Sequence, residues 1–132
     1  MYPKEVYHFL VLHFPIALFF TAFIFDFICV VTDKEEIKDY VCWTMGMGII
    51  WGLLSIITGY ITAIELGYME SLLDIYSKRH SMIMLFCISY FIILFILRTK
   101  SINNKILLFF NAGGVGLLMY GAHLGAKWAD RI

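Results

Sequence analysis

Apolar residues fall into four long stretches along the chain, separated by short polar segments. These stretches cover residues of about 6–32, 38–64, 70–97 and 106–127. Each approaches or exceeds the roughly 20 residues that an α-helix needs to cross about 30 Å of hydrocarbon. Because the links are short, consecutive helices are expected to be antiparallel neighbours. The pattern predicts an all-α protein, an integral membrane up-down-up-down four-helix bundle in one domain (residues 1–132), with both termini on the same side.

The third stretch opens with an amphipathic segment from Glu70 to Arg79. Acidic and basic side chains recur one helical turn apart at Glu70, Asp74 and Lys78. We expect this segment to be the extramembrane start of the third helix, because that makes the third helix as long as the first two. An interfacial helix is the alternative.

The composition supports a membrane location. Apolar residues make up 61% of the chain and charged residues 15%, whereas soluble domains have roughly 45–50% and 25%. Ten basic and ten acidic side chains give a net charge of zero, so no basic face for phosphate is expected. The composition excludes a nucleic-acid partner, a disordered chain and a secreted disulfide scaffold, and it indicates the lipid bilayer as the main surroundings.

The three cysteines, Cys29, Cys42 and Cys87, lie far apart. Without a CxxC or CxxCH motif, the chain lacks the ligands for thioredoxin-like chemistry, a cysteine-rich zinc site or covalent haem attachment. A disulfide between Cys29 and Cys42 across the first turn is conceivable, but we expect free, buried thiols.

The basic residues predict the orientation only weakly. Five lie on the side of the termini and five on the other side: Lys4, Lys78, Arg79, Lys127 and Arg131 against Lys34, Lys38, Arg98, Lys100 and Lys105. The link from Arg98 to Lys105 holds three cations and no acid, which favours a cytoplasmic location for that side. The termini would then be periplasmic in a bacterial inner membrane.

The four histidines, His8, His13, His80 and His123, fall into one layer of the predicted bundle. They lie near the start of helix 1, the start of helix 3 and the end of helix 4, which are on the same membrane side. Ionisable side chains inside a membrane are costly and indicate a functional site. Imidazole is a common metal ligand, and a pair of histidines is a familiar axial arrangement for b-type haem.

The bundle geometry favours diagonal helices for such a pair. Packed neighbours are about 8–10 Å apart, too close for a macrocycle, so helices 1 and 3 are the better supports. His13 with His80 is the preferred pair. His8 points about 140° away from His13, so His8 would pair with His123 around a second haem or would only form hydrogen bonds.

Glycines in helices 2 and 4 permit close approach of a helix or of a flat macrocycle. Gly48 and Gly52 form a small-xxx-small step, and Gly116 lies seven residues before His123 on nearly the same face. Close helix packing is the alternative explanation. Arg79 and Lys127, beside the histidine layer, are candidates for binding haem propionates, with interfacial anchoring as the alternative.

Asp26 lies inside helix 1, eighteen residues after His8. Eighteen residues make five helical turns, so the two side chains share a face in opposite halves of the membrane. Asp26 is expected to relay protons, to pair with Lys105 or to extend to the interface.

The opening segment HFLVLHFPIA, at residues 8–17, resembles the signature of a bacterial family of four-span membrane proteins. That family is a domain of unknown function. That signature is His-Pro-x-x-x-His-Phe-Pro-Ile-Ala, and this chain has Phe9 in place of the proline. The resemblance extends over nearly the whole chain, through residues that include Asp26, Gly59, His80, Gly116, Tyr120, His123 and Gly125. It implies the four-span fold and a haem-binding, redox-linked role in which Gly59, Gly116 and Tyr120 line the cofactor.

The preferred hypothesis is therefore a membrane b-type cytochrome subunit of a respiratory or photosynthetic complex, with haem b (one or two) and quinone or a c-type cytochrome as redox partner. No catalytic motif is present, so we expect no enzyme activity of its own. A cofactor-free assembly subunit is the alternative, with histidines that bond to Tyr60, Ser71, Tyr90 or Tyr120. A proton-conducting channel or small transporter is a third hypothesis, weakened because no internal repeat is evident in the sequence.

Overall fold

The computed structural model describes the backbone of residues 4–65 and 75–128, and the side chains of residues 6–62 and 80–126. Within those ranges the chain forms four α-helices and no strand, which confirms the predicted all-α bundle. The helices are α1 (Lys4–Thr32), α2 (Ile37–Glu65), α3 (Ile75–Leu97) and α4 (Asn104–Trp128). Residues 70–74 of the predicted amphipathic segment lie outside the described residues.

All four helices are long and apolar enough to cross a membrane. The candidate spans are Val6–Thr32, Ile37–Thr62, His80–Leu97 and Asn104–Ala126. Large apolar side chains such as Trp43, Phe86 and Phe109 project outward, with 62–76% of their surface exposed. In a bilayer these side chains face lipid, because lipid tails solvate them as well as a protein core would.

The two hairpin turns lie at the same end of the bundle and contact each other. Asp33 ends α1 with a φ of 58°, a left-handed conformation that Asp tolerates better than most residues. Asn103 Oδ1 accepts a hydrogen bond of 2.8 Å from the Lys105 amide and so caps α4. The Asn104 side chain donates to Glu35 at 3.0 Å, which joins the two turns.

Glu35 also forms a 2.6 Å ion pair with Lys38 one turn along the chain. The hydrogen bonds from Lys38 and Asn104 lower the pKa of the Glu35 carboxyl below its ordinary value, because both stabilise the charged form. The side of the bundle opposite the histidines therefore has a small polar network at its surface.

The helices pack as a square. Helix α1 contacts α2 and α4, and α3 also contacts α2 and α4, whereas the diagonal pairs have no Cα atoms within 8 Å among the described residues. The contact between α1 and α2 is the most extensive. This arrangement makes α1 and α3 the diagonal pair that the sequence analysis assumed.

The centre of the core is a pair of stacked phenyl rings on the two diagonal helices. Phe19 and Phe91 are fully buried, with ring centroids 3.8 Å apart. A methyl group on Gly48 would come within 2.9 Å of the Phe19 ring, and one on Gly114 within 2.8 Å of Phe91. These two glycines therefore let α2 and α4 approach closely enough to enclose the stack.

The cysteines are free thiols, with Cys29 and Cys87 buried and Cys42 half-buried. Cys29 Sγ donates to the Lys34 carbonyl at 3.4 Å. The conceivable Cys29–Cys42 disulfide is absent from the structure.

Candidate functional site

His8 lies in the interface between α1 and α2. Its ring packs against Gly59, where an added methyl group would lie 2.8 Å from Cε1. Its Nδ1 is 3.1 Å from Thr58 Oγ1, and the Thr58 hydroxyl donates its own proton to the Ser55 carbonyl at 3.0 Å. Because that hydroxyl proton is engaged, the Thr58 oxygen accepts and His8 Nδ1 carries the proton.

His80 occupies the matching place in the interface between α3 and α4. Its ring packs against Gly125, where a methyl group would lie 2.6 Å from Cε1. Its Nδ1 is 2.8 Å from the Gly121 carbonyl. A carbonyl can only accept, so His80 Nδ1 also carries the proton. Both half-buried imidazoles, when neutral, keep their lone pair on Nε2.

The two imidazoles lie in the same half of the bundle. They are carried by the diagonal helices α1 and α3. His8 shares a face of α1 with Asp26, and His80 shares a face of α3 with Arg98, since each pair is eighteen residues apart. Asp26 and Arg98 meet inside the bundle, so both histidines are directed towards the same interior.

The other two histidines lie on the outer surface. His13 is exposed, and its Nδ1 forms a short hydrogen bond with the Phe9 carbonyl of its own helix. His123 is also exposed. On the diagonal helices, His8 and His80 are therefore the half-buried histidines, whereas His13 is exposed.

The remaining predicted site residues are divided among different surroundings. Gly59 contacts His8, whereas Gly52 is buried beneath Ile88, whose side chain would clash with any Cβ there. Gly116 has no atom within 4 Å of a would-be Cβ, and Tyr120 is 52% exposed. The side chains of Arg79 and Lys127 lie outside the described residues.

A polar cluster that the sequence analysis did not assemble occupies the opposite half of the bundle. Arg98 donates to both carboxylate oxygens of Asp26, with Nη1 3.0 Å from Oδ1. The Asn111 side chain donates to Asp26 Oδ2 at 2.7 Å. The Asp26 and Arg98 side chains are only 4% and 3% exposed, and Asn111 is fully buried.

This cluster corrects the expected pairing of Asp26 with Lys105. Lys105 is exposed at the start of α4, whereas Arg98 lies just beyond the end of α3 and reaches inward. One signal in the sequence pointed to Arg98: it follows His80 by the same eighteen residues that separate Asp26 from His8. Because Arg98 is paired inside the bundle, it no longer counts among the loop cations that favoured a cytoplasmic location for that side.

The sequence matches, over residues 5–132, the family described as "Predicted membrane protein (DUF2231)". The chain belongs to this family. No curated protein and no solved structure matches it. Membership of DUF2231, together with the four long apolar helices, establishes a multi-pass membrane protein.

The donor set of this DUF2231 member limits the chemistry of the histidine site. Among the described side chains, no group of three or more His, Cys, Asp or Glu is placed to hold a metal ion. A structural zinc site needs four such ligands. Two imidazoles whose Nδ1 atoms carry the proton each offer one Nε2 lone pair, which is a donor set that fits the iron of a haem.

Proposed function

We propose that this protein is a membrane-embedded b-type haem-binding electron-transfer subunit of a respiratory or photosynthetic complex, in which His8 and His80 would hold the haem iron. The observation that carries the proposal is the hydrogen bonding of the two rings. Each Nδ1–H is held by an acceptor on the neighbouring helix, Thr58 Oγ1 or the Gly121 carbonyl. Metal-binding histidines typically have this arrangement, which orients the ring and raises its basicity.

The spacing of the helices also supports the proposal. An iron bound between two imidazoles needs its ligands on helices whose backbones are well separated, and α1 and α3 have no Cα atoms within 8 Å of each other among the described residues. Gly59 and Gly125 let each ring lie flat against the neighbouring helix. The bound haem would supply one-electron chemistry, and the protein would hold both rings, exclude water and tune the potential.

The position of the site in one half of the membrane supports a choice of redox partners. An electron would pass between quinone or another membrane subunit and a c-type cytochrome at the histidine side. In a bacterial inner membrane we place that side and both termini in the periplasm. Arg79 and Lys127, which are close in sequence to His80 and His123, are the candidates for binding the haem propionates.

A reduced-minus-oxidised visible spectrum of the detergent-purified protein, with haem quantified per chain, tests this function. We expect a b-type α-band and about one haem per chain. His8→Ala and His80→Ala should each lose the haem, while His13→Ala and His123→Ala keep it. Full haem content in His80→Ala would contradict the proposed ligation.

A second candidate function is a cofactor-free assembly subunit of a larger membrane complex. It is favoured by the same interhelical hydrogen bonds, because His8 and His80 already join their helices to α2 and α4. The partners are Thr58 and the Gly121 carbonyl in place of the tyrosines named above. A folded but colourless protein from haem-replete cells would make this function the leading one.

A further inference from the structure

The diagonal helices α1 and α3 carry equivalent residues at a constant separation. His8 and His80, Phe19 and Phe91, and Asp26 and Arg98 are each 72 positions apart. Two of the three pairs meet in the interior, the phenyl rings by stacking and the last pair by an ion pair. The two imidazoles occupy equivalent places, each packed against the second helix of its own hairpin.

Helices α2 and α4 repeat the same correspondence at a separation of 66 positions. Gly48 lies against Phe19 as Gly114 lies against Phe91. Gly59 likewise lies against His8 as Gly125 lies against His80.

The repetition includes the hydrogen-bond acceptors. His8 donates to Thr58 Oγ1, and the Thr58 hydroxyl donates in turn to the Ser55 carbonyl, four residues before Gly59. The Gly121 carbonyl, four residues before Gly125, accepts from His80.

We infer that the bundle consists of two equivalent helix hairpins, α1–α2 and α3–α4, related by a pseudo-twofold axis along the bundle, and that the Asp26–Arg98 pair directs these two halves to associate with each other. In an up-down-up-down bundle α1 and α3 run in the same direction, so the axis is parallel to the membrane normal. Parallel repeats related in this way are a known architecture of membrane proteins. The inference does not depend on haem binding.

Two features explain why the repeat is hard to see in the sequence. Over residues 8–26 and 80–98, only six of nineteen positions are identical, and most of these are Phe or Ile in an apolar background. The separation also changes from 72 to 66 between the first and second helix of each hairpin, because α3 ends sooner after Phe91 than α1 ends after Phe19. An ungapped comparison of the halves therefore fails.

The equivalence gives the ion pair a specific role. If two copies of the same hairpin associated, the axis would place Asp26 opposite Asp26, or Arg98 opposite Arg98, inside the bundle. Two like charges that are buried together are strongly unfavourable. Unlike charges at equivalent positions favour association of the two different halves, so the pair acts as a selection device between one folded chain and wrongly paired copies.

Exchange of the two charges tests the inference. We expect Asp26→Arg and Arg98→Asp to lose most of the folded monomer on size-exclusion chromatography in detergent. The double variant Asp26→Arg/Arg98→Asp should recover it, because the axis makes the two positions interchangeable. Asn111 can follow the exchange, since its side-chain amide offers an oxygen as well as an NH₂ group.

A charge-free reference keeps the test informative. Asp26→Asn/Arg98→Gln removes both charges and keeps an amide at each position, and we expect its apparent melting temperature to lie between those of the single variants and the exchanged variant. An exchanged variant that is no more stable than the charge-free one would overturn the equivalence of the two positions. Single variants that remain as monomeric and stable as the wild type would overturn the selective role of the pair.

Discussion

The two ends of the bundle axis use the same geometry for opposite chemistry. At one end the diagonal helices present two like side chains, His8 and His80, each hydrogen-bonded within its own hairpin. At the other end the equivalent positions hold unlike side chains, Asp26 and Arg98, which bond directly to each other. The same pair of helices therefore supports one layer in which the two equivalent side chains pair with each other and one in which each side chain bonds to its own hairpin.

The difference supports the proposed location of the binding site. Asp26 and Arg98 neutralise each other, and Asn111 satisfies a further lone pair of the carboxylate. Two imidazoles with protonated Nδ1 atoms both present a lone pair on Nε2, and two acceptors cannot bond without a shared proton or a metal ion. The ion-pair layer is suited to holding the bundle together, and the histidine layer is suited to binding a metal-containing cofactor.

The largest effect on stability is expected from breaking the ion pair between Asp26 and Arg98. Arg98→Ala leaves the Asp26 carboxylate buried without its countercharge, which should lower the free energy of unfolding by about 3–5 kcal/mol. Thermal unfolding in detergent measures the loss. Lys105→Ala is the matched control, because Lys105 is an exposed cation near the same end. Equal stability of the two variants would contradict a structural role for the ion pair.

A smaller effect on stability is expected from crowding the rings of His8 and His80. Gly59→Ala and Gly125→Ala place a methyl group 2.8 Å and 2.6 Å from the Cε1 atoms of His8 and His80. Displacement of either ring should lower the free energy of unfolding by about 1–3 kcal/mol, measured by thermal unfolding in detergent. On the proposed function it should also reduce haem content by similar amounts in both variants.

Gly116→Ala is the control for those two variants, because no atom lies within 4 Å of its would-be Cβ. It should leave haem content unchanged, and alanine is favoured over glycine in a helix by up to about 1 kcal/mol. Loss of stability or haem in Gly116→Ala equal to that in Gly59→Ala would show that the histidine contacts are not the cause.

Thr58→Val tests the hydrogen bond that orients His8. The change keeps the shape of the side chain and removes the acceptor of the His8 Nδ1–H. We therefore expect the free energy of unfolding to fall by about 1 kcal/mol and the haem affinity to fall about 10–100-fold. Thr44→Val is the control, since the Thr44 hydroxyl donates to the Tyr40 carbonyl of its own helix. Haem titration of the apoprotein compares the two variants, and equal affinities would argue against the orienting role.

The smallest effect concerns the surface network of Glu35. Its pKa is lower in the folded protein than the ordinary value of about 4.3, so its contribution to stability is present above that value and is lost as the pH falls through the folded pKa. Glu35→Gln should therefore flatten the acid side of a profile of melting temperature against pH. Glu36→Gln, at the exposed neighbouring position, should leave the profile as in the wild type.

Much of the histidine layer could be predicted from local spacing. The positions of His8 and His80 near the starts of two helices that run in the same direction place them at one depth, whatever the details of packing. The choice of His8 over His13 could not be made in this way, because a residue's face matters only once the rotation of its helix is known. The rotation of α1 depends on Phe19, Gly48 and Phe91 meeting in the core.

The sequence by itself determined the four spans, their alternating direction and the single histidine layer, because hydropathy and chain length act locally. Only the tertiary structure decided that Arg98, and not Lys105, is the partner of Asp26, and that the two hairpins repeat one arrangement. The physical reason is that a side chain's partner is set by how all four helices turn about their own axes. That turn is fixed by close packing between residues distant in sequence.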